Sequence, residues 1–106
     1  MKTEEITHSF FKFKFTLHIS KNGNCYCPVC GDEAQNYKRR PYDKLGMPGY
    51  DICDTCDYEY SFDNVDEVPY PNTWKTYREK WLNNKIENSK KINLLEKRKL
   101  LESIGL

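Results

Sequence analysis

The sequence has no apolar run approaching the 18 or so residues that a membrane-crossing helix needs. It also does not open like a secretory leader. "MKTEEITHSFF" carries acids where a leader is cationic, and no apolar stretch follows. We therefore expect a cytoplasmic protein with no membrane partner. An excess of one charge is missing too. Seventeen Lys and Arg face 16 Asp and Glu, and a net charge of +1 gives no global field to draw the chain to nucleic acid or lipid. Apolar residues are few, 38% against 31% charged, so the core should be thin for 106 residues and a staple would help it. Aromatic residues, 14% with eight Tyr, offset part of that shortage and argue against disorder. Signatures of catalysis are absent as well. There is no Gly-rich phosphate loop, no His–Glu pair at helical metal spacing and no nucleophile turn, so we expect no enzymatic activity.

What the chain does have is five cysteines, four of them in matched pairs. "CPVC" spans Cys27 to Cys30, "CDTC" spans Cys53 to Cys56, and 22 residues lie between. Two residues between thiolates let one tight turn aim both sulfurs at one ion, and two such turns close a tetrahedron. Either pair alone would be weak; together they point to a metal site made of Cys27, Cys30, Cys53 and Cys56. Gly31 follows the first pair and supplies the left-handed conformation that closes such a turn. Asp57 holds the same place after the second and tolerates that conformation better than most side chains. Zinc is the expected ion, in a structural role, since four protein ligands leave no position for water or substrate. Four thiolates also suit iron, which would make the chain a rubredoxin-like electron-transfer protein; Asp57 in place of a second Gly counts against that. Cys25, two residues before Cys27, is read as a free thiol beside the site, with exchange for Cys27 as the alternative. His8 and His18 have no ligand spacing and are read as solvated.

Around the cysteines the pattern predicts an α+β fold. "FFKFKFTLHIS", residues 10–20, alternates with Phe11, Phe13, Phe15, Leu17 and Ile19 on one face, which predicts a half-buried strand. "KNGN" is a turn leading into the cysteines, and Arg39 to Tyr50, with two Pro and two Gly, reads as a loop. "GYDIC" and the alternation of Tyr58, Tyr60 and Phe62 predict two more short strands. After "VPYPN", with Asn72 or Thr73 as cap, Trp74, Tyr77, Trp81 and Leu82 share one helical face. A second helix follows in "INLLEKRKLLESI", with Leu94, Leu95, Leu101 and Ile104 as its apolar positions and Gly105 as its stop. We expect one domain over 1–106: an N-terminal strand in 1–24, a zinc ribbon in 25–64 and a helical part in 72–105. Its small antiparallel sheet would be covered by the two C-terminal helices.

Charge is uneven along the chain. Asp51 to Asn72 holds seven acids and no Lys or Arg, and the balance turns basic from Thr73 on. Asp57, Glu59, Asp63, Asp66 and Glu67 form the candidate partner-binding set. Lys38, Arg39, Arg40 and Lys44, with Tyr37 and Tyr42 interleaved, are the candidate contacts for a nucleic-acid-binding zinc ribbon; the near-neutral net charge weighs against that alternative.

"CPVCG" at Cys27–Gly31, "GYDICDTCDYEYSFDN" at Gly49–Asn64 and "YREKWL" at Tyr77–Leu82 resemble the small bacterial cysteine-rich CPCC-type zinc-ribbon proteins. The likeness spans roughly residues 25–106 and departs at "CDTCD". It implies a non-enzymatic module and, for some members, an immunity protein that neutralises a cognate toxin by occluding it.

Overall fold

The structure, a computed structural model, describes residues 2–33, 40–63 and 69–106. It is α+β: strands β1 (Lys2–Thr7) and β2 (Lys14–Ile19), then helices α1 (Tyr70–Leu82) and α2 (Leu94–Glu102). The strands pair antiparallel, with Ile6 opposite Phe15 and Glu4 opposite Leu17. Strand β2 confirms the alternating pattern, for Phe15, Leu17 and Ile19 are buried and Lys14 and Thr16 exposed. It begins later than the pattern suggests. Residues 8–13 form the hairpin turn, closed by His8 N–H to the Phe13 carbonyl at 2.8 Å and Lys12 N–H to the His8 carbonyl at 3.0 Å, with Lys12 at φ 64°. Phe10 and Phe11 therefore lie exposed at the tip. Strand β1 escapes the sequence pattern because "KTEEIT" buries only Ile6, and a polar edge strand of this kind resists pairing with other chains.

His8 is the second correction. It is buried, 4% exposed, rather than solvated, and its Nδ1 accepts from the N–H groups of Phe10 and Phe11 at 3.1 and 2.9 Å. An unpaired imidazole would be costly there; this one is bonded and stacks on Phe13 with centroids 4.8 Å apart. His18 is half-buried.

A two-stranded hairpin is marginal alone, and here aromatic rings supply the missing layer. Phe15 packs edge-on against Tyr42, Tyr70 and Trp74, with centroids 5.2, 5.3 and 5.7 Å apart. Tyr42 is fully buried, and its hydroxyl accepts from Trp74 Nε1 at 2.9 Å, so the polar end of each ring is satisfied inside the cluster. Tyr42 comes from the segment expected to be an exposed loop. It is pinned there by pairing with Pro48 across a turn whose Asp43 carboxylate accepts from the N–H groups of Leu45 and Met47.

Helix α1 starts at Tyr70, ahead of the expected caps Asn72 and Thr73. Pro69 is its N-cap, with no side-chain bond, and Pro71 sits in the first turn, where a missing N–H costs nothing. Tyr70, Trp74 and Trp81 are buried along one face, with Tyr77 and Leu82 packed at its margin. Helix α2 is capped by Asn93, whose side chain accepts from Glu96 N–H at 2.8 Å. It ends at Glu102, short of the expected stop at Gly105; its inward residues are Lys97 and Leu101, with Ile104 buried just beyond its end, whereas Leu94 and Leu95 are exposed. The apolar pattern misled because one inward position is a lysine. Between the hairpin and α1, the described residues add single bridges: Ile19 with Cys25, Tyr26 with Glu33, Tyr42 with Pro48, and Ile52 with Glu59. The expected ribbon strands at "GYDIC" and Tyr58–Phe62 shrink to the last of these. No helix among the described residues is long and apolar enough to cross a membrane.

Candidate metal centre

Each cysteine pair is one turn of the same design. Gly31 N–H donates to the Cys27 carbonyl at 2.8 Å, and Cys27 N–H donates to the Asp32 carbonyl at 2.8 Å. In the second turn Asp57 N–H donates to the Cys53 carbonyl at 2.8 Å, and Cys53 N–H to the Tyr58 carbonyl at 3.0 Å. Gly31 has φ 85° and Asp57 φ 62°, so both positions that follow a pair take the left-handed conformation. The residue types dictate this: Gly has no Cβ to clash, and Asp is among the few side chains that visit the region.

The two turns face each other. The sulfurs of Cys27, Cys30, Cys53 and Cys56 all lie within 4.8 Å of one another. Cys27 and Cys56 are 3.9 Å apart and Cys30 and Cys53 3.6 Å, too far for disulfides, and all are free thiols. A tetrahedron with metal–sulfur bonds of about 2.3 Å has edges of about 3.8 Å, so the donor set fits one four-coordinate ion. Cys25 stands outside the cluster. It is buried beside the Arg40–Glu4 ion pair, and burial pushes its thiol up from the ordinary range.

Electrostatics says the same. Burial pushes the Cys27 thiol up, but hydrogen bonds from Cys30, Cys53, Cys56 and the Tyr60 hydroxyl outweigh it and hold it well below the usual thiol range. The Tyr60 bond is 3.0 Å long. Cys30 is pushed well up by its bond to Cys27, and Cys56 by burial and then by Cys27. Within the cluster the protein thus favours the thiolate at Cys27 and the thiol at Cys30 and Cys56, an imbalance that a bound cation would relieve.

The surroundings fix both turns. Arg78 on α1 donates through Nε to the Val29 carbonyl at 2.7 Å and through its terminal nitrogen to the Pro28 carbonyl at 2.8 Å. Burial lowers its pKa, while the charge of the nearby cysteines opposes that, and its own charge would offset negative charge gathered at the cluster. Tyr77, one residue earlier, donates to the Cys56 carbonyl at 2.8 Å, and Asn88 reaches the same oxygen at 2.9 Å. Thr55 Oγ1 donates to the Asp32 carboxylate, tying one turn to the other. Spacing along the chain singles out none of Tyr60, Tyr77, Arg78 and Asn88 as a site residue.

The candidate partner residues fare unevenly. The Asp57 carboxylate accepts from Ser89 N–H at 2.7 Å and Ser89 Oγ at 2.6 Å, and Asp63 accepts from Glu59 N–H at 2.8 Å. Both therefore have work inside the fold. Glu59 is half-buried, and Asp66 and Glu67 lie outside the described residues. Of the candidate nucleic-acid contacts, Arg40 is engaged by Glu4 at 2.6 Å and by the Tyr42 carbonyl at 3.0 Å, and Tyr42 is core. Lys44 is exposed; Tyr37, Lys38 and Arg39 lie outside the described residues.

Fold and site together define the class: an α+β chain with a four-cysteine cluster able to hold a metal ion. Compared with known protein families, with curated proteins and with solved structures, the chain matches none.

Proposed function

We propose that the chain is a non-enzymatic binding module whose fold is held by one structural Zn²⁺ on Cys27, Cys30, Cys53 and Cys56. The observation that carries the reading is the set of four sulfurs within 4.8 Å, belonging to two turns clamped by one helix. Such a site would saturate its ion with protein ligands and leave it nothing to activate. Its binding energy, on the order of 10 kcal/mol, matches the whole net stability of a small domain. A protein with one zinc per chain, colourless, and with a melting temperature that collapses when a chelator removes the ion, is the expected result. An iron-type visible spectrum in protein from its native host would replace zinc with the electron-transfer alternative. The Asp57 objection to iron is weaker in the structure, because Asp57 adopts the same left-handed turn as Gly31; metal content decides the question.

The partner we propose is a protein, and the likeness to CPCC-type proteins suggests a toxin with a basic cleft. Because Asp57 and Asp63 serve the fold, the test reverses Glu59, Asp66 and Glu67 to Lys. Loss of salt-sensitive co-purification with a host protein supports the occlusion reading, and unchanged binding removes it. The nucleic-acid alternative is disfavoured by the internal use of Arg40 and Tyr42.

A further inference from the structure

A cleft of about 650 Å³ opens between the end of α1 and the start of α2, remote in chemistry from the cysteines. Lys85, Lys90, Lys91 and Lys97 line it, against a single acid, Glu87. Among the described residues none of these four lysines forms an ion pair. Three are exposed; Lys97 is not, being 3% exposed. Its ammonium donates to the Trp81 carbonyl at 2.6 Å and to Asn84 Oδ1 at 3.1 Å, and it lies 4.9 Å from the centre of the Trp81 ring. An ammonium has three N–H donors, and the third finds no acceptor among the described residues. Burial lowers the pKa of Lys97, and the charge of Lys91, on the same cleft wall, lowers it further. Asn93, the cap of α2, also lines the cleft and brings the positive end of that helix to it.

Lys97 is thus a buried cation at the edge of a cleft whose three other cations are exposed, and burying a charge is costly unless it is fully bonded. We propose that the cleft between α1 and α2 binds a small phosphate-bearing anion, a di- or triphosphate group, with Lys97 as fixed donor and Lys85, Lys90 and Lys91 closing over it. Several phosphate oxygens at once suit several point-charge donors better than a single carboxylate would. The cleft holds none of the four cysteines and touches the metal centre only through Asn88, so it can fail to bind while the metal centre stands.

Trp81 reports on the cleft through Lys97. Titrating the full chain with inorganic pyrophosphate should change tryptophan emission along a saturating 1:1 curve, confirmed by calorimetry. Lys90→Ala with Lys91→Ala, both exposed and harmless to folding, should weaken binding roughly tenfold. Lys44→Ala with Lys75→Ala, both exposed and outside the cleft lining, should leave it unchanged. The proposal is overturned if pyrophosphate gives no saturation at about millimolar concentration, or if the two double variants weaken binding equally. It is also overturned if a single-stranded oligonucleotide binds through the same lysines more tightly than pyrophosphate, since the cleft would then serve a nucleic-acid backbone.

Discussion

The two cysteine turns have the same backbone and different chemistry. After the first pair the left-handed position is Gly31, and a Cβ there would run into the Leu100 carbonyl of α2. After the second it is Asp57, whose side chain reaches out to bond Ser89 twice. One turn gives up its side chain so that a helix can lie against it. The other keeps a side chain so that it can tie down the connection between the helices. The turn demands the conformation; the neighbours choose the residue.

Removing a ligand from either turn erases the difference between them. If the proposed ion holds the fold, Cys30→Ser and Cys53→Ser should both abolish metal binding and leave the chain largely unfolded at ambient temperature, since roughly 10 kcal/mol of binding energy would go with the ion. Metal content by mass spectrometry and far-UV dichroism would check this. Equal stability with and without metal would defeat the structural reading of the site.

Gly31→Ala and Asp57→Gly separate the turns. Gly31→Ala meets both an unfavourable φ and the Leu100 backbone, and should destabilise by roughly 3 kcal/mol in denaturant unfolding. Arg78→Met strands the Pro28 and Val29 carbonyls and should cost about 2 kcal/mol, with faster loss of metal to a chelator. Asp57→Gly keeps the conformation and loses only the Ser89 bonds, about 1 kcal/mol. Asp57→Ala should be worse than Asp57→Gly, because it loses the same bonds and gains the strain.

The smallest effect concerns acid. Asn24 and Ser20 hydrogen-bond Glu33 and hold its carboxyl below the ordinary range. A carboxyl lowered on folding stabilises above its unfolded pKa, and that contribution is lost as pH falls through the folded value. Glu33→Gln should therefore flatten the acid limb of a melting-temperature profile slightly and leave the neutral region unchanged.

The ligand set was legible because two-residue spacing is a local constraint: a turn of that size can be read from the chain alone. Strand β2 was legible for the same reason, its alternation being local, and so was the buried face of α1 through Trp74 and Trp81. Strand β1 was not, since a strand that buries only Ile6 shows no period. His8 looked like a surface residue because nothing nearby in sequence reveals that its Nδ1 closes a turn and its ring meets Phe13 and Tyr70. Lys97 hid the inward face of α2 by breaking the apolar pattern with a charge.

By itself the sequence determined which atoms could hold an ion, the conformations after each pair, and the helical and strand periods, all of which are set within a few residues. Only the tertiary structure decided which groups support that site: Arg78, Tyr77, Asn88 and Tyr60 reach the turns from 21 to 50 residues away. It also decided that Asp57 and Asp63 serve the fold. Hydrogen bonds and burial depend on what the folded chain brings alongside, and that is a property of distance in space that no spacing along the chain records.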